Sequence, residues 1–222
     1  MLRFDANVLQ QPVGTQLHGY LQSWRYFHPH ASDIVQKTLK VPLAKAEEAA
    51  AFVSNIRTTL SAQASSHGGR PIKLVAVHVR RGDKLNHPHY DQWSINEPYY
   101  KKAFSLLAAR HSWQHLAFLF FTGGELDEAG LIADSEWTKT TLTSFLPLSD
   151  RAFFSEGTDY LKDLHAFGLC DIFITGPSSF SWWAAYLAAS KGKMQKKDRK
   201  KKKKKKKEPF PFLLISQGTH VS

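Results

Sequence analysis

"LVAVHVRRGDKL", residues 74–85, sets a short apolar run, broken only by His78, against two adjacent arginines, a glycine and an aspartate. A run of this kind predicts a strand buried in the core of a sheet. Charge at its carboxyl end lies where an open α/β sheet keeps its ligand crevice. Arginine offers a planar fork that grips phosphate oxygens two at a time. Gly82 lets the backbone approach a ligand or turn with positive φ. Asp83 can orient an arginine or receive a proton. The same residues also suit a surface ion pair at a strand end, and local composition alone leaves both readings open.

Outward from this stretch, strands and helices alternate. Residues 44–64, rich in Ala and Glu, predict a helix that "SSHGGRP" (65–71) ends. The strand covers 72–79. "EPYYKKAFSLLAARH" (97–111) predicts a helix with Pro98 in its first turn and Tyr100, Phe104 and Leu107 at helical spacing. "LAFLFFT" (116–122) is the next strand, and "GGELDEAGLIAD" (123–134) starts a helix. "TLTSFLPL" (141–148) reads as a weaker strand or a loop. A helix over 158–170, a strand over 171–176, a helix over 179–189 and a final strand over 210–216 complete the series. Strands separated by helices of ten or more residues argue for βαβ units, hence an α/β fold with a parallel, doubly wound sheet.

"ITGPSSFSWWAAYLA" (174–188) repeats the opening theme: a strand, a turn, then a helix start. Ser178 and Ser179 are N-cap residue types, and the free N–H groups of a first helical turn attract anions. This is a second candidate phosphate cradle. The plainer alternative is simple capping, with Trp182 and Trp183 in the core. In "DYLKDLHAFGLCD" (159–171), Asp163 can accept hydrogen bonds from a base or a ribose; a solvated helix face is the other reading. The H-x-H pairs at 28/30 and 87/89 lack a clear third ligand, so no metal site is assigned.

The formal charge is +11, but residues 191–207 hold 13 of the 30 Lys and Arg and a single acid. The rest has 17 basic and 18 acidic residues, a net of −1. The basic character therefore belongs to one low-complexity run, expected to be disordered, and without interleaved aromatics it does not suggest specific nucleic-acid binding. One cysteine, Cys170, excludes an intramolecular disulfide. No fully apolar run approaches the length of a membrane span, the run 116–121 reads as a core strand, and "MLRFDANVLQ" has no signal-peptide core.

Together these stretches resemble the α1,2-fucosyltransferases, family 11 of the glycosyltransferases. "AVHVRRGDKL" resembles their H-V-R-R-G-D motif, and "SSFSWWAAYLA" their S-T-F-(S/G)-W-W-A-A-Y-L motif. "GYLQSWRYF" (19–27), "EPYYKKAF" and "DYLKDLHAFGLCDIFIT" fall in the expected order, so the likeness covers about residues 17–190. It implies a GT-B-like, inverting enzyme that transfers L-fucose from GDP-fucose to a galactose-containing acceptor, with no cofactor or obligatory metal. Arg80 or Arg81 would hold the diphosphate, with His78 nearby. Ser178, Ser179 and Phe180 would line the β-phosphate side, and Asp163 would contact the nucleoside. Asp83 is the nearest motif carboxylate for a general base, with Asp91 and Glu97 as alternatives. Family members work at the lumenal face of the Golgi membrane. Membrane attachment is expected only through an N-terminal anchor, which this sequence does not contain. Nor does it contain the family's Gly-rich G-x-x-G-N-x-x-F/M segment.

The expected organisation is an incomplete N-terminal lobe with a linking helix (1–70), a Rossmann-like GDP-fucose-binding domain (71–190), a lysine-rich insertion (191–208) and a terminal strand (209–222). The alternative expectation is a truncated, inactive sugar-nucleotide-binding remnant.

Overall fold

The computed structural model describes residues 5–16, 26, 40–66, 69–81, 96–122, 134–155, 159–176 and 178–188. Asp83, Asp91, both H-x-H pairs, the lysine run and the expected strand at 210–216 lie outside the described residues. The chain divides into two compact units, Met1–Lys40 with Gln217–Ser222, and Val41–Ser216. In the first, a short 3-10 turn, Ala6–Gln10, is capped by Asp5, whose carboxylate accepts from Asn7 N at 2.9 Å.

The second unit is built on a parallel sheet of four described strands: β1 (Lys73–Val79), β2 (Leu116–Thr122), β3 (Ala152–Ser155) and β4 (Ile172–Ile174). Their spatial order is β3-β2-β1-β4, and every pairing is parallel. Among the described residues, five α-helices accompany them: α1 (Leu43–Ser66), α2 (Glu97–His111), α3 (Asp134–Trp137), α4 (Tyr160–Gly168) and α5 (179–188).

Strand alternation divides the core in two. Leu74 and Ala76 of β1, with Ala117, Leu119 and Phe121 of β2, face a layer of α1, α4 and α5. Val75, Val77 and Val79, with Phe118 and Phe120, face α2 and the turns around Leu142 and Leu146. Both faces are covered, which is why β1 and β2 read as nearly unbroken apolar runs. Aromatic rings lock the layers: Phe104 of α2 meets Phe118 edge-on at 5.0 Å, and Phe167 of α4 stacks on Phe173 of β4 at 5.5 Å.

Helix α1 carries Ala49, Val53, Ile56, Leu60 and Ala64 as one buried stripe. That stripe packs in the sheet core, and α1 lies within the unit Val41–Ser216.

The segment expected as a strand or loop over 141–148 opens with helical turns, Thr138–Leu142 and Thr143–Phe145. Its β-branched residues suggest a strand. In the fold the threonine hydroxyls of these turns bond back to helical carbonyls instead, Thr140 to Glu136 at 2.9 Å and Thr143 to Lys139 at 2.6 Å. The third strand is the four-residue stretch that follows, Ala152–Ser155.

Candidate functional site

The chain lays down β1, β2 and β3 toward one side, then returns to place β4 on the other side of β1. The carboxyl ends of β1 and β4 are thus neighbours at a topological switch point, the position where open α/β sheets bind ligands. Residues 78–81 leave one strand there, and residues 175–180 leave the other.

Adjacent residues of an extended chain point to opposite faces, and this separates the two arginines. His78 lies on the α4–α5 face: its ring sits 5.4 Å from that of Phe180. Arg80, two residues on, is exposed, and its charge acts on His78. Arg81 goes the other way. Its guanidinium lies 3.9 Å from the ring centre of Trp137, and its backbone N–H donates to the Asp134 carboxylate at 2.6 Å. Asp134 is 2% exposed, held at the first turn of α3. The sequence presents the arginines as a pair; the fold gives Arg81 to the packing under Trp137 and leaves Arg80 at the surface beside His78.

His78 is buried, and its Nδ1 has no hydrogen-bond partner among the described residues. Burial, with the Arg80 charge added, lowers its pKa to about 4, so the imidazole is neutral near pH 7.

At the start of α5, the Ser178 Oγ accepts from Phe180 N at 3.2 Å, and the Ser178 carbonyl accepts from Trp182 N at 3.2 Å. Ser178 is therefore the N-cap, as the sequence allows. Its hydroxyl oxygen is turned onto its own helix, whereas Ser179 is exposed. Trp182 and Trp183 are half-buried, and Trp182 stacks on Tyr186 at 5.0 Å.

Asp163 lies farther along the same face. In the register of the sheet His78 is opposite Phe121, and Phe121 is opposite Ser155. Ser155 donates its hydroxyl to Asp163 Oδ1. One row across the carboxyl end of the sheet thus runs from His78 through Phe121 to the Ser155–Asp163 pair. Burial raises the Asp163 pKa, against the lowering effect of the Ser155 hydrogen bond. Two strand spacings separate the ends of this row, about 10 Å.

Two more residues fix the strand exits. The Tyr99 hydroxyl donates to the Thr175 carbonyl at 2.7 Å, and the Tyr100 hydroxyl donates to the His78 carbonyl at 3.0 Å. Neither tyrosine, nor Asp134, nor Trp137 was singled out as a site residue from the sequence. Their partners lie 22 to 76 positions away along the chain, and no local pattern encodes such contacts. Among the described residues no group of three His, Cys, Asp or Glu is placed to hold a metal ion.

The sequence pattern of glycosyl transferase family 11 matches residues 11–209, most of the chain. The chain belongs to glycosyl transferase family 11. This family 11 chain is similar to the galactoside alpha-(1,2)-fucosyltransferase 1 of Saimiri sciureus, 28% identical over 178 residues that cover 78% of this chain and 43% of that protein. The enzyme of the same name from Leontopithecus chrysomelas is 30% identical over 179 residues, with the same coverage. The Homo sapiens enzyme of that name is 27% identical over 177 residues, again covering 78% and 43%. The chain thus spans less than half the length of these relatives. No solved structure matches it. Both strand exits of the family 11 chain, with their flanking motifs, fall within the matched span.

Proposed function

We propose that this family 11 chain transfers L-fucose from GDP-fucose to a hydroxyl of a galactose-containing glycan, forming an α1,2 linkage with inversion. The observation that carries this reading is the row on one face of the sheet at the switch point, with His78 at one end and the Ser155–Asp163 pair at the other. Arg80 and the first turn of α5 lie at the His78 end, and buried Asp163 bonds to Ser155, which is two strand spacings, about 10 Å, across the sheet from His78. A bare phosphate occupies only one end of such a row. A nucleoside diphosphate can reach both, with its diphosphate at Arg80 and Ser179 and its nucleoside toward Asp163. The names of the relatives supply the sugar and the linkage.

In the reaction, the acceptor oxygen forms a bond to C1 of fucose as the bond from C1 to the phosphate oxygen breaks. The bonding pair leaves with GDP, and the acceptor proton passes to a carboxylate. A single displacement of this kind inverts C1. Negative charge grows on the diphosphate, so the Arg80 guanidinium and the α5 N–H groups stabilise the transition state more than the ground state. Neutral His78 adds no charge of its own. Asp83 remains the first choice as base, with Asp91 and Glu97 as alternatives; Glu97, in the first turn of α2, pairs with Lys101 at 3.4 Å. In the family the acceptor would be held by a second lobe, and the reaction would run in the Golgi lumen without a metal. No helix among the described residues is long and apolar enough to cross a membrane.

Calorimetry with GDP and guanosine tests the donor. Hydrogen bonds to a charged group are worth about 1.5–3 kcal/mol, so Arg80→Ala should weaken GDP binding by about one to two powers of ten. Arg80→Lys should also lose affinity, because the fork is gone. Arg81→Lys should lower stability while leaving GDP affinity within about threefold, since its guanidinium is committed to Trp137. Guanosine should bind all variants alike. GDP binding that ignores Arg80 would remove the chemical basis of the reading. Product analysis with GDP-fucose and a galactoside then separates a transferase from a chain that binds the donor without turnover.

A further inference from the structure

Tyr99 and Tyr100 are consecutive residues in the first turn of α2, about 100° apart around its axis. They therefore diverge toward different strands. The ladder between β1 and β4 ends at Val77 opposite Ile174. The next residue on each strand, His78 and Thr175, supplies the carbonyl that one tyrosine holds, at 3.0 Å and 2.7 Å. Both phenols are buried, at 7% and 1% exposure, and their rings meet edge-on at 5.2 Å. Burial raises both phenol pKa values, so the hydroxyls remain donors.

Where two strands part at a switch point, the ladder no longer fixes their spacing. Here one helical turn reaches both strands at that point. The helix is itself held, because Phe104 and Leu107 sit in the core against the sheet. The spacing of the two exits thus becomes a property of a rigid turn of α2.

We propose that Tyr99 and Tyr100 are positioning residues that together set the separation of the β1 and β4 exits. They would thereby set the separation of Arg80 from the first turn of α5. The inference rests on the nucleotide reading above, because its consequence is the grip on a diphosphate. Neither hydroxyl touches the ligand; each holds a backbone carbonyl.

The test is GDP and guanosine titration of Tyr99→Phe, Tyr100→Phe and the double variant, each confirmed as folded by thermal melting. Phenylalanine keeps the ring and removes only the tether. Each single change should weaken GDP binding about fivefold, the worth of one neutral hydrogen bond. Guanosine affinity should be unchanged, since it asks nothing of the phosphate grip. The double variant should be no worse than either single by more than about twofold, because losing one tether already frees the gap. Loss of GDP and guanosine affinity in parallel would mean a general structural role and overturn the inference. So would unchanged GDP affinity, or a double variant at the product of the singles. A wild-type chain that does not bind GDP would overturn the nucleotide reading itself, and the inference with it; a binding wild type with indifferent variants would overturn the inference alone.

Discussion

His78 is an imidazole that the fold keeps uncharged, and the cost of doing so depends on pH. Its folded pKa is about 4, below the ordinary 6.5, because burial disfavours the charged ring. Between these values the unfolded chain binds the proton and the folded chain does not, so stability rises with pH across that window. The His78 contribution is complete above about pH 6.5 and is lost as pH falls toward 4, by up to about 3 kcal/mol. Urea midpoints of wild type and His78→Gln between pH 4 and 7.5 check this. The wild-type curve should fall more steeply on acidification than that of the variant, and parallel curves would show that the ring is not titrating as its burial implies. The neighbouring arginines teach a related lesson. Their different fates follow from strand parity, which the sequence contains: Arg80 has the parity of His78, and Arg81 that of Val79. What the sequence withholds is the partner of Arg81, because Trp137 reaches it from 56 positions away.

At the scale of elements, the opposite end of the sheet has its own clamp. Asp171, just before β4, accepts from Leu74 N of β1 at 2.8 Å and from both terminal nitrogens of Arg57 in α1, each at 3.1 Å. Arg57 also donates to the Leu169 carbonyl at 3.0 Å. One carboxylate thus joins a helix of one layer to two strands. Arg57 and Asp171 are both more than a third exposed, so their ion pair alone contributes at most about 1 kcal/mol. Asp171→Ala should cost more, about 2 kcal/mol, because it also leaves the Leu74 N–H without its acceptor. Arg57→Ala should cost about half as much. Chemical denaturation measures both, and equal losses would show that the backbone link adds nothing. Helices α1, α2 and α4 and strands β1, β2 and β4 were legible because each has a long periodic or continuously apolar signal, or a cap of the right type. The site row was less so. His78, Ser178 and Asp163 could be named as candidates, but only the register of β1, β2 and β3 places Asp163 in the row of His78. Strand β3 was missed because four residues carry no period, and the threonine-rich turn before it resembles a strand better than β3 itself.

At the scale of the whole molecule, the basic charge and the candidate site are separated along the chain. Alternation of strands and helices was enough to expect a doubly wound sheet; the order β3-β2-β1-β4, which makes β1 and β4 neighbours at a switch point, is a long-range property that no local stretch encodes. The net charge of +11 depends on residues 191–207, without which the chain is at −1. If the diphosphate is held by Arg80 and a helix start, its binding depends on charges within a few ångströms. Charges beyond a Debye length, about 8 Å at physiological salt, are largely screened. Deleting 191–207 should therefore leave GDP affinity within about twofold at 0.15 M salt. The same deletion should abolish any binding to random-sequence DNA. A run of net +12 that neutralises phosphates releases counterions, and its affinity falls steeply with salt. Titrating both ligands into the full chain and the deletion variant, at two salt concentrations, separates the two roles. GDP affinity that disappears with the run would place the anion grip in the lysines rather than at the strand exits, and would take the diphosphate away from Arg80.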